Sequence, residues 1–336
     1  MKTYITILLI FNWSFGAWMN VAAQEVRYPI EMTFKVVDDF NRPVSDAEVR
    51  VSTFHHWQPG EGFGQDINQI FKGSTDANGM VTVRGESLRD EVSYGPSLKE
   101  NYYFGGSKRH RFSEVKNGRW EPWNPTFHVL MKPILKPIPM YARKIGALTQ
   151  LVEIPVVSQP VGFDLNAADW VEPYGKGRVA DLVFRLDAII PISVAQEPFD
   201  YRFTVSFSNE GDGVQSVLSE PSALRQPRYA PESGYKPKLE KRIGRSARGE
   251  PLNTGTREDQ NYFFRVRTVL DEQGRIKSAL YGKISGDIAC DVINSRKGYI
   301  IFNYYLNPTS LDRNLEFDPQ NNLFMGLRRL EKINEP

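Results

Sequence analysis

Apolar and polar residues alternate along the first part of the chain with the period of a β-strand. Every second residue from 30 to 36 is apolar and the residues between them are polar, which predicts a half-buried strand. Two further strands follow, around 49–51 and 81–83. Asn78-Gly79 marks a turn before the second of them, because both residues tolerate positive φ. The first part of the chain is therefore predicted to fold as a β-sheet domain.

The same alternation returns in the second half of the chain. Its clearest example is the stretch in which Tyr201, Phe203, Val205 and Phe207 alternate with polar residues. Other stretches with strand patterns lie at 182–186, 261–269, 276–284, 288–293 and 299–306. Residues 220–260 contain repeated prolines, many basic residues and few large apolar ones, so we expect a long loop there. The pattern predicts a second all-β domain of the sandwich or jelly-roll kind.

Length and proline content divide the chain. A sequence of 336 residues favours about two domains. Residues 133–140 are rich in proline and cannot form a helix, because a residue before proline is restricted to extended conformations. We therefore predict a first domain at 24–132, a linker at 133–140 and a second domain at 141–336, all of them without major helices.

The N-terminus has the pattern of an export signal. Lys2 precedes an apolar run at 5–11, and small residues at 21–23 resemble a cleavage site. We predict a signal peptide over residues 1–23, which implies a secreted or periplasmic protein without a stable membrane span after cleavage. The alternative is an uncleaved membrane anchor, since a span needs ~20 residues. The polar residues Asn12, Ser14 and Asn20 interrupt the run and favour cleavage.

The segment from Glu31 to Gly85, with its turn ending in Pro43 and its Thr-Asp-Ala-Asn-Gly turn at 75–79, resembles the carboxypeptidase regulatory-like domain. The resemblance extends over about residues 28–130. It implies a transthyretin-like β-sandwich that serves as a non-catalytic module in exported proteins. The zinc-binding peptidase domain of those enzymes has no counterpart in this sequence, so no peptidase activity is implied. The remainder resembles only uncharacterised exported bacterial proteins, and no functional residues come with that resemblance.

Charge, cysteine and histidine content exclude several kinds of site. A formal charge of +2 offers no clustered basic face for nucleic acid. Cys290 is the only cysteine, so no intramolecular disulfide can form, and its strand-like setting predicts a small buried hydrophobe. His55 and His56 are adjacent, and neighbours in a strand point to opposite faces, so they make a poor pair of metal ligands. The sequence predicts neither a metal site nor a cofactor.

Aromatic residues between 102 and 123 are the candidates for ligand binding. Tyr102, Tyr103, Trp120 and Trp123 have apolar faces and polar edges, which suit stacking on sugar rings. Packing of the same rings against the first sandwich is the competing interpretation, because large aromatic residues are usually buried. We keep these four residues as the predicted binding residues, with polysaccharide or another envelope protein as the partner.

Catalytic motifs are absent from the sequence. It contains no Gly-x-Ser-x-Gly elbow and no His-Glu-x-x-His zinc signature. A pair of carboxylates brought together by folding leaves no such motif, and Asp164, Asp169, Glu172 and Asp181 are the candidates. We therefore predict an exported, non-enzymatic binding or structural protein. The alternative is a carbohydrate-active hydrolase or lyase, which two carboxyls facing each other across a cleft at ~5–10 Å would favour.

Overall fold

The computed structural model describes residues 26–60, 64–146, 151–189, 199–255, 259–294 and 296–336. The predicted signal peptide at 1–23 lies outside these residues. The described part of the chain consists of strands, turns and irregular segments without helices, which confirms the all-β prediction. It follows that no helix in this part is long and apolar enough to cross a membrane.

The first nine strands form a sandwich of two sheets. They are β1 (Tyr28–Val37), β2 (Glu48–Gln58), β3 (Gln65–Ser74), β4 (Met80–Ser87), β5 (Glu91–Tyr94), β6 (Lys108–Arg111), β7 (Glu114–Lys116), β8 (Arg119–Glu121) and β9 (Thr126–Leu130). One sheet has the order β4-β1-β9 and the other β3-β2-β5-β6, while β7 and β8 form a separate hairpin. Ile30, Met32, Phe34 and Val36 of β1 are all buried between the sheets, as the alternation predicts.

The other twelve strands form a second, larger sandwich. They are β10 (Ile138–Ile145), β11 (Val152–Glu153), β12 (Val161–Asp164), β13 (Asp169–Trp170), β14 (Leu182–Ile189), β15 (Phe199–Ser206), β16 (Gly213–Leu218), β17 (Lys238–Arg245), β18 (Gln260–Leu270), β19 (Ile276–Asn294), β20 (Lys297–Leu306) and β21 (Phe317–Asn322). A seven-stranded sheet has the order β16-β18-β19-β20-β10-β21, with β11 beside β20. A five-stranded sheet has the order β13-β12-β14-β15-β17 and packs over it.

The larger sheet is buried on both faces. Phe264 on β18 and Phe302 on β20 contribute to the core between the two sheets. Phe263 of β18 and Tyr305 of β20 lie on the opposite side of the same strands and pack against Phe317 and other residues of the C-terminal segment. β18 is therefore apolar on both sides, which is typical of a strand at the centre of a layered structure.

Three sequence-based boundaries are corrected. The predicted loop at 220–260 contains β17, an edge strand whose exposed face is polar and hides the alternation. The predicted linker at 133–140 ends inside β10, which begins at Ile138. The strands predicted at 276–284 and 288–293 are one strand, β19, whose register shifts between residues 285 and 289. Gly286 in this irregular stretch has a φ of +83°, which favours glycine.

Candidate functional site at the junction of the two sandwiches

The two sandwiches are joined by backbone hydrogen bonds as well as by the covalent chain. The N–H of Gly106 donates to the carbonyl of Pro221 at 2.8 Å, and the N–H of Ala223 donates to the carbonyl of Phe104 at 3.0 Å. A side chain at Gly106 would meet the backbone of Pro221 at 3.0–3.1 Å, so a glycine permits this close approach. The segments 104–106 and 221–223 thus pair like two short strands across the domain boundary.

Glu316 is the centre of the junction and is fully buried. Its carboxylate accepts hydrogen bonds from the N–H groups of Leu135 and Lys136, both at 2.9 Å, and from the Tyr103 hydroxyl at 3.0 Å. It also forms an ion pair with Arg228. Burial by itself would raise the pKa of Glu316, but these N–H groups and the guanidinium outweigh it and hold the pKa below its usual value. Glu316 is therefore ionised and almost fully satisfied.

Arg228 connects three parts of the molecule. Its side chain is 3% exposed and donates to the carbonyl of Pro133 at 2.7 Å. The same guanidinium lies 3.4 Å from a carboxylate oxygen of Asp39 in the first sandwich and pairs with Glu316 in the C-terminal segment. One buried guanidinium therefore holds the first sandwich, the connection between the domains and the second sandwich together.

Two buried lysines lie in the same region. Lys132 forms an ion pair with Glu220 and donates to the carbonyl of Gln226 at 2.7 Å. The amine of Lys283 on β19 lies 4.6 Å from the centroid of the Tyr305 ring, and in the described part of the chain no carboxylate pairs with it. Burial lowers the pKa of both amines, and that of Lys283 falls to about 7 because Lys132 adds repulsion.

A surface cavity of about 320 Å³ opens beside this buried network. Its lining includes Phe104, Ser107, Glu220, Arg225, Asn334 and Glu335. Glu220 both lines the cavity and pairs with Lys132, so the cavity reaches the charged groups of the junction. Perturbed pKa values beside a cavity between domains are the usual marks of a functional site. The observed contacts connect the two domains, and we regard the junction as the candidate site on that basis.

The four predicted aromatic binding residues lie in two separate places. Trp120 on β8 packs edge-on against Tyr28 and donates its indole N–H to the carbonyl of Ser87 at 2.9 Å. Trp123 is partly buried, and the guanidinium carbon of Arg119 lies 4.7 Å from the centroid of its ring. The structure therefore places these two rings on and beside the β7–β8 hairpin.

Tyr102 and Tyr103 lie at the junction instead. Tyr102 packs on the first core and forms a backbone bridge with Pro133, while Tyr103 donates its hydroxyl to Glu316. The four side chains do not form one continuous platform. Their role in ligand binding stays a prediction.

Two of the four candidate acids are brought together, but by a shared arginine. Asp181 is buried and accepts two hydrogen bonds of 2.8 Å from Arg267, which also donates to Asp164 at 3.1 Å. Asp164 additionally accepts backbone N–H groups from both sides of its loop, among them Arg178 at 2.9 Å. Burial would raise the pKa of Asp164, but these N–H groups keep it below its usual value. The oxygens of both carboxylates therefore accept hydrogen bonds that stabilise the fold.

The other two candidates lie in β13 and just after it, and Asp169 is half-buried. Asp169 accepts the N–H groups of Trp170 and Lys176, at 2.8 and 2.9 Å, and so closes a turn. Glu172 is exposed. Asp164 and Asp181, the two acids that lie close together, are therefore buried and bound to Arg267 instead of facing each other across an open cleft.

The arrangement of the two adjacent histidines differs from the prediction, whereas that of the cysteine agrees with it. A β-bulge between Phe54 and His56 turns the strand, so the rings of His55 and His56 lie 5.0 Å apart instead of on opposite faces. Among the described residues no group of three potential metal ligands occurs. Cys290 is buried as predicted, and burial raises the pKa of its thiol to about 12.

No family model and no curated protein matches this sequence. Among solved structures, a point mutant of the shaft pilin SpaA of Lactobacillus rhamnosus GG is 12% identical over 69% of this chain and 99% of that chain, with a TM-score of 0.19. BcpA, the major pilin subunit of Bacillus cereus, is 11% identical over 76% of this chain and 95% of that chain, with a TM-score of 0.21. At such TM-scores the likeness carries no argument about this protein.

The charged residues of the junction were not predicted from the sequence. Glu316, Arg228 and Lys283 are scattered charged residues in stretches without a motif, and Glu316 meets Tyr103 across 213 positions of sequence. One local feature pointed to Lys283: it is a charged residue between Tyr281 and Ile284, in a stretch that is predicted to be a strand. A lysine at such a position is either on an exposed face or buried with a role.

Proposed function

We propose that this protein is an exported, non-enzymatic structural or binding protein of the bacterial envelope or exterior, in which the two sandwiches act as one stiff unit. The observation that carries the proposal is the junction. Independent domains usually move relative to each other unless their interface is extensive. Here backbone pairing and a buried network around Glu316 and Arg228 oppose such motion. Stiffness of this kind suits a spacer or scaffold.

The energetics of the junction support stiffness. Separating the domains would leave the buried amine of Lys132 without Glu220. It would also part the buried guanidinium of Arg228 from Asp39 in the first sandwich. Leaving one partner of a buried ion pair uncompensated costs roughly 3–5 kcal/mol. Motion at the junction is therefore expected to be rare under native conditions.

The proposed location rests on the N-terminal sequence and on the resemblance of the first domain. A signal-peptide pattern at 1–23 and a regulatory-like module both belong to exported proteins.

The partner is a polysaccharide or another envelope protein. Trp123, which is partly buried on the outside of the first sandwich, is available for either.

Stiffness can be measured directly in solution. We expect 15N relaxation of the mature protein to give one rotational correlation time for both sandwiches. Glu316→Gln should make the two values diverge, because it removes the negative charge that binds the Tyr103 hydroxyl of the first sandwich and the N–H groups of Leu135 and Lys136. Glu153→Gln, which alters an exposed ion pair with Lys297, is the matched control. Separate correlation times in the unmodified protein would refute the stiff unit.

Export needs its own experiment. The full chain with its own N-terminus is expressed in a bacterium, and periplasm and medium are separated from the cytoplasm. We expect the protein outside the cytoplasm with residues 1–23 removed, as read by intact mass. Leu8→Arg, in the centre of the apolar run, should retain it inside. Cytoplasmic protein with an intact N-terminus would contradict export.

A further inference from the structure

β3 is a long strand at the edge of the first sandwich. It has ten residues and pairs with β2 from Gln65 to Ser74. Among the described residues no strand bonds to its other side. An edge of this length presents unpaired N–H and C=O groups that can bind another strand.

The hydrogen bonds of β2 show which groups of β3 point outward. Glu48 exchanges two hydrogen bonds with Leu98, each of 2.9 Å, and the carbonyl of Arg50 accepts from Gly95 at 2.8 Å. These even-numbered residues of β2 therefore direct their backbone groups away from β3. Since the two directions alternate along a strand, the odd-numbered residues of β2 bond to β3.

The register then assigns the outer edge of β3. Val49 and Val51 lie opposite Gly73 and Phe71, which must direct their backbone groups toward β2. The residues between and beyond them on β3, which are the even-numbered ones from 66 to 74, carry the outward-facing N–H and C=O groups. Their side chains also share the outer face of the sheet.

This edge is complementary to itself. If two β3 strands pair antiparallel about Gln69, Asp66 of each copy lies opposite Lys72 of the other, and Asn68 lies opposite Ile70. All of these pairs join residues with outward-facing backbone groups, so each pair can exchange two hydrogen bonds. Opposite charges in directly facing positions stabilise a sheet, and a shift of the register by one pair loses both matches.

The side chains involved are accessible. Asp66 is 47% exposed, Lys72 is 64% exposed and Ile70 is 59% exposed. Asp66 pairs with Arg89 at 2.9 Å and Lys72 with Glu48 at 3.0 Å within the chain. Such exposed ion pairs are weak and can be shared with a new partner.

Three other edges, β6, β17 and β16, lack this complementarity. β6 carries Lys108, Arg109 and Arg111, so two copies of it would place like charges opposite each other. The outer side of β17 is covered by bridges to Pro251 and Thr254, and β16 is bridged to Lys236. Of these four edges, β3 is the one on which charge, length and exposure agree.

We propose that two copies of this chain associate through antiparallel pairing of their β3 strands, so that the β3-β2-β5-β6 sheets join into one continuous sheet. This inference rests on the proposed structural function and names a second copy of the chain as a partner. A stiff two-domain unit that pairs edge to edge forms an extended assembly with the second sandwiches held away from the contact.

The charges provide a test that only this pairing passes. Asp66→Lys places ammonium groups opposite Lys72 of the second copy, and Lys72→Asp places carboxylates opposite Asp66. Each variant alone is expected to dimerise with a dissociation constant raised about tenfold or more, because like charges face each other. An equimolar mixture of the two variants restores opposite charges at both positions and should form a heterodimer.

Sedimentation equilibrium of the full mature chain over a range of concentrations measures these constants. Asn68→Pro removes an outward-facing N–H and leaves the bonds to β2 in place, so it should also weaken the dimer while the thermal midpoint shows that the domain is folded. Glu114→Lys, an equal charge change on the exposed strand β7, is the control and should leave association unchanged.

Two results would overturn the inference. One is a monomer at every concentration; the other is a dimer whose constants do not change in the charge variants or their mixture. Export and the single correlation time are measured separately, so a protein that is exported and stiff but monomeric would remove the pairing and leave the proposed function standing.

Discussion

Replacing Lys283 with methionine is expected to stabilise the protein at neutral and acidic pH. The amine of Lys283 is buried on β19 against the Tyr305 ring. Methionine has a similar length and no charge, so it fills the same space without a group that must be desolvated. Replacing buried charges with apolar residues of similar volume is often neutral or stabilising.

The magnitude follows from the pKa of this amine. Burial, with repulsion from Lys132 and Arg228 and partial compensation by Glu316, lowers the pKa of Lys283 from 10.5 to about 7. At about 1.4 kcal/mol per pKa unit, the charged amine costs the folded state roughly 5 kcal/mol. Methionine removes this cost, less whatever packing it loses.

The effect depends on pH in a definite direction. The unfolded chain keeps the proton of Lys283 up to about pH 10.5, whereas the folded chain releases it near pH 7. Between these values the unfolded state binds more protons, so the stability of the unmodified protein rises with pH relative to the variant. From pH 7 to 9 the difference between the two proteins should shrink by about 2 kcal/mol. Below about pH 6, where the amine is protonated in both states, it should be constant.

Urea denaturation of both proteins at several pH values between 6 and 9 measures this difference. Subtracting the free energy of unfolding of the unmodified protein from that of the variant cancels the titration of other groups. Lys277→Met, on an exposed position of the same strand, is the control and should give a curve parallel to that of the unmodified protein. A Lys283→Met protein that is less stable at pH 6, or a difference that does not vary with pH, would refute the reasoning.

Three further changes test other parts of the structure. Glu316→Gln should lower the free energy of unfolding by roughly 3–5 kcal/mol, whereas Glu153→Gln should change it by less than about 0.5 kcal/mol in the same urea titration. Arg267→Met should lower the free energy of unfolding by a similar 3–5 kcal/mol, because it leaves Asp181 buried without a countercharge. Adding Asp181→Asn should recover part of that free energy, and no recovery would contradict the pairing. The thiol of Cys290, with its pKa raised to about 12, should resist Ellman's reagent at pH 8 in the native protein and react fully in guanidinium, so rapid native labelling would exclude burial.

Local patterns were sufficient for several of the longer strands. The alternation at residues 30–36 and 201–207 identified β1 and β15 because side chains on a strand point to opposite faces, and this period can be counted in the sequence. The burial of Cys290 was predicted for the same reason. β17 was not predicted, because an edge strand has a solvated face and this one has polar residues along most of its length.

The tertiary structure decided how the domains are joined and what the charged residues do. The sequence by itself determined two β-rich domains and the export pattern, since both depend on neighbouring residues. It could not show that Glu316 meets Tyr103 and Arg228, or that Asp164 and Asp181 share Arg267, because each contact joins residues that are far apart in the chain. A charged residue is exposed or buried according to what folds over it. For Lys283 and Glu316, only the tertiary packing around them settles that choice.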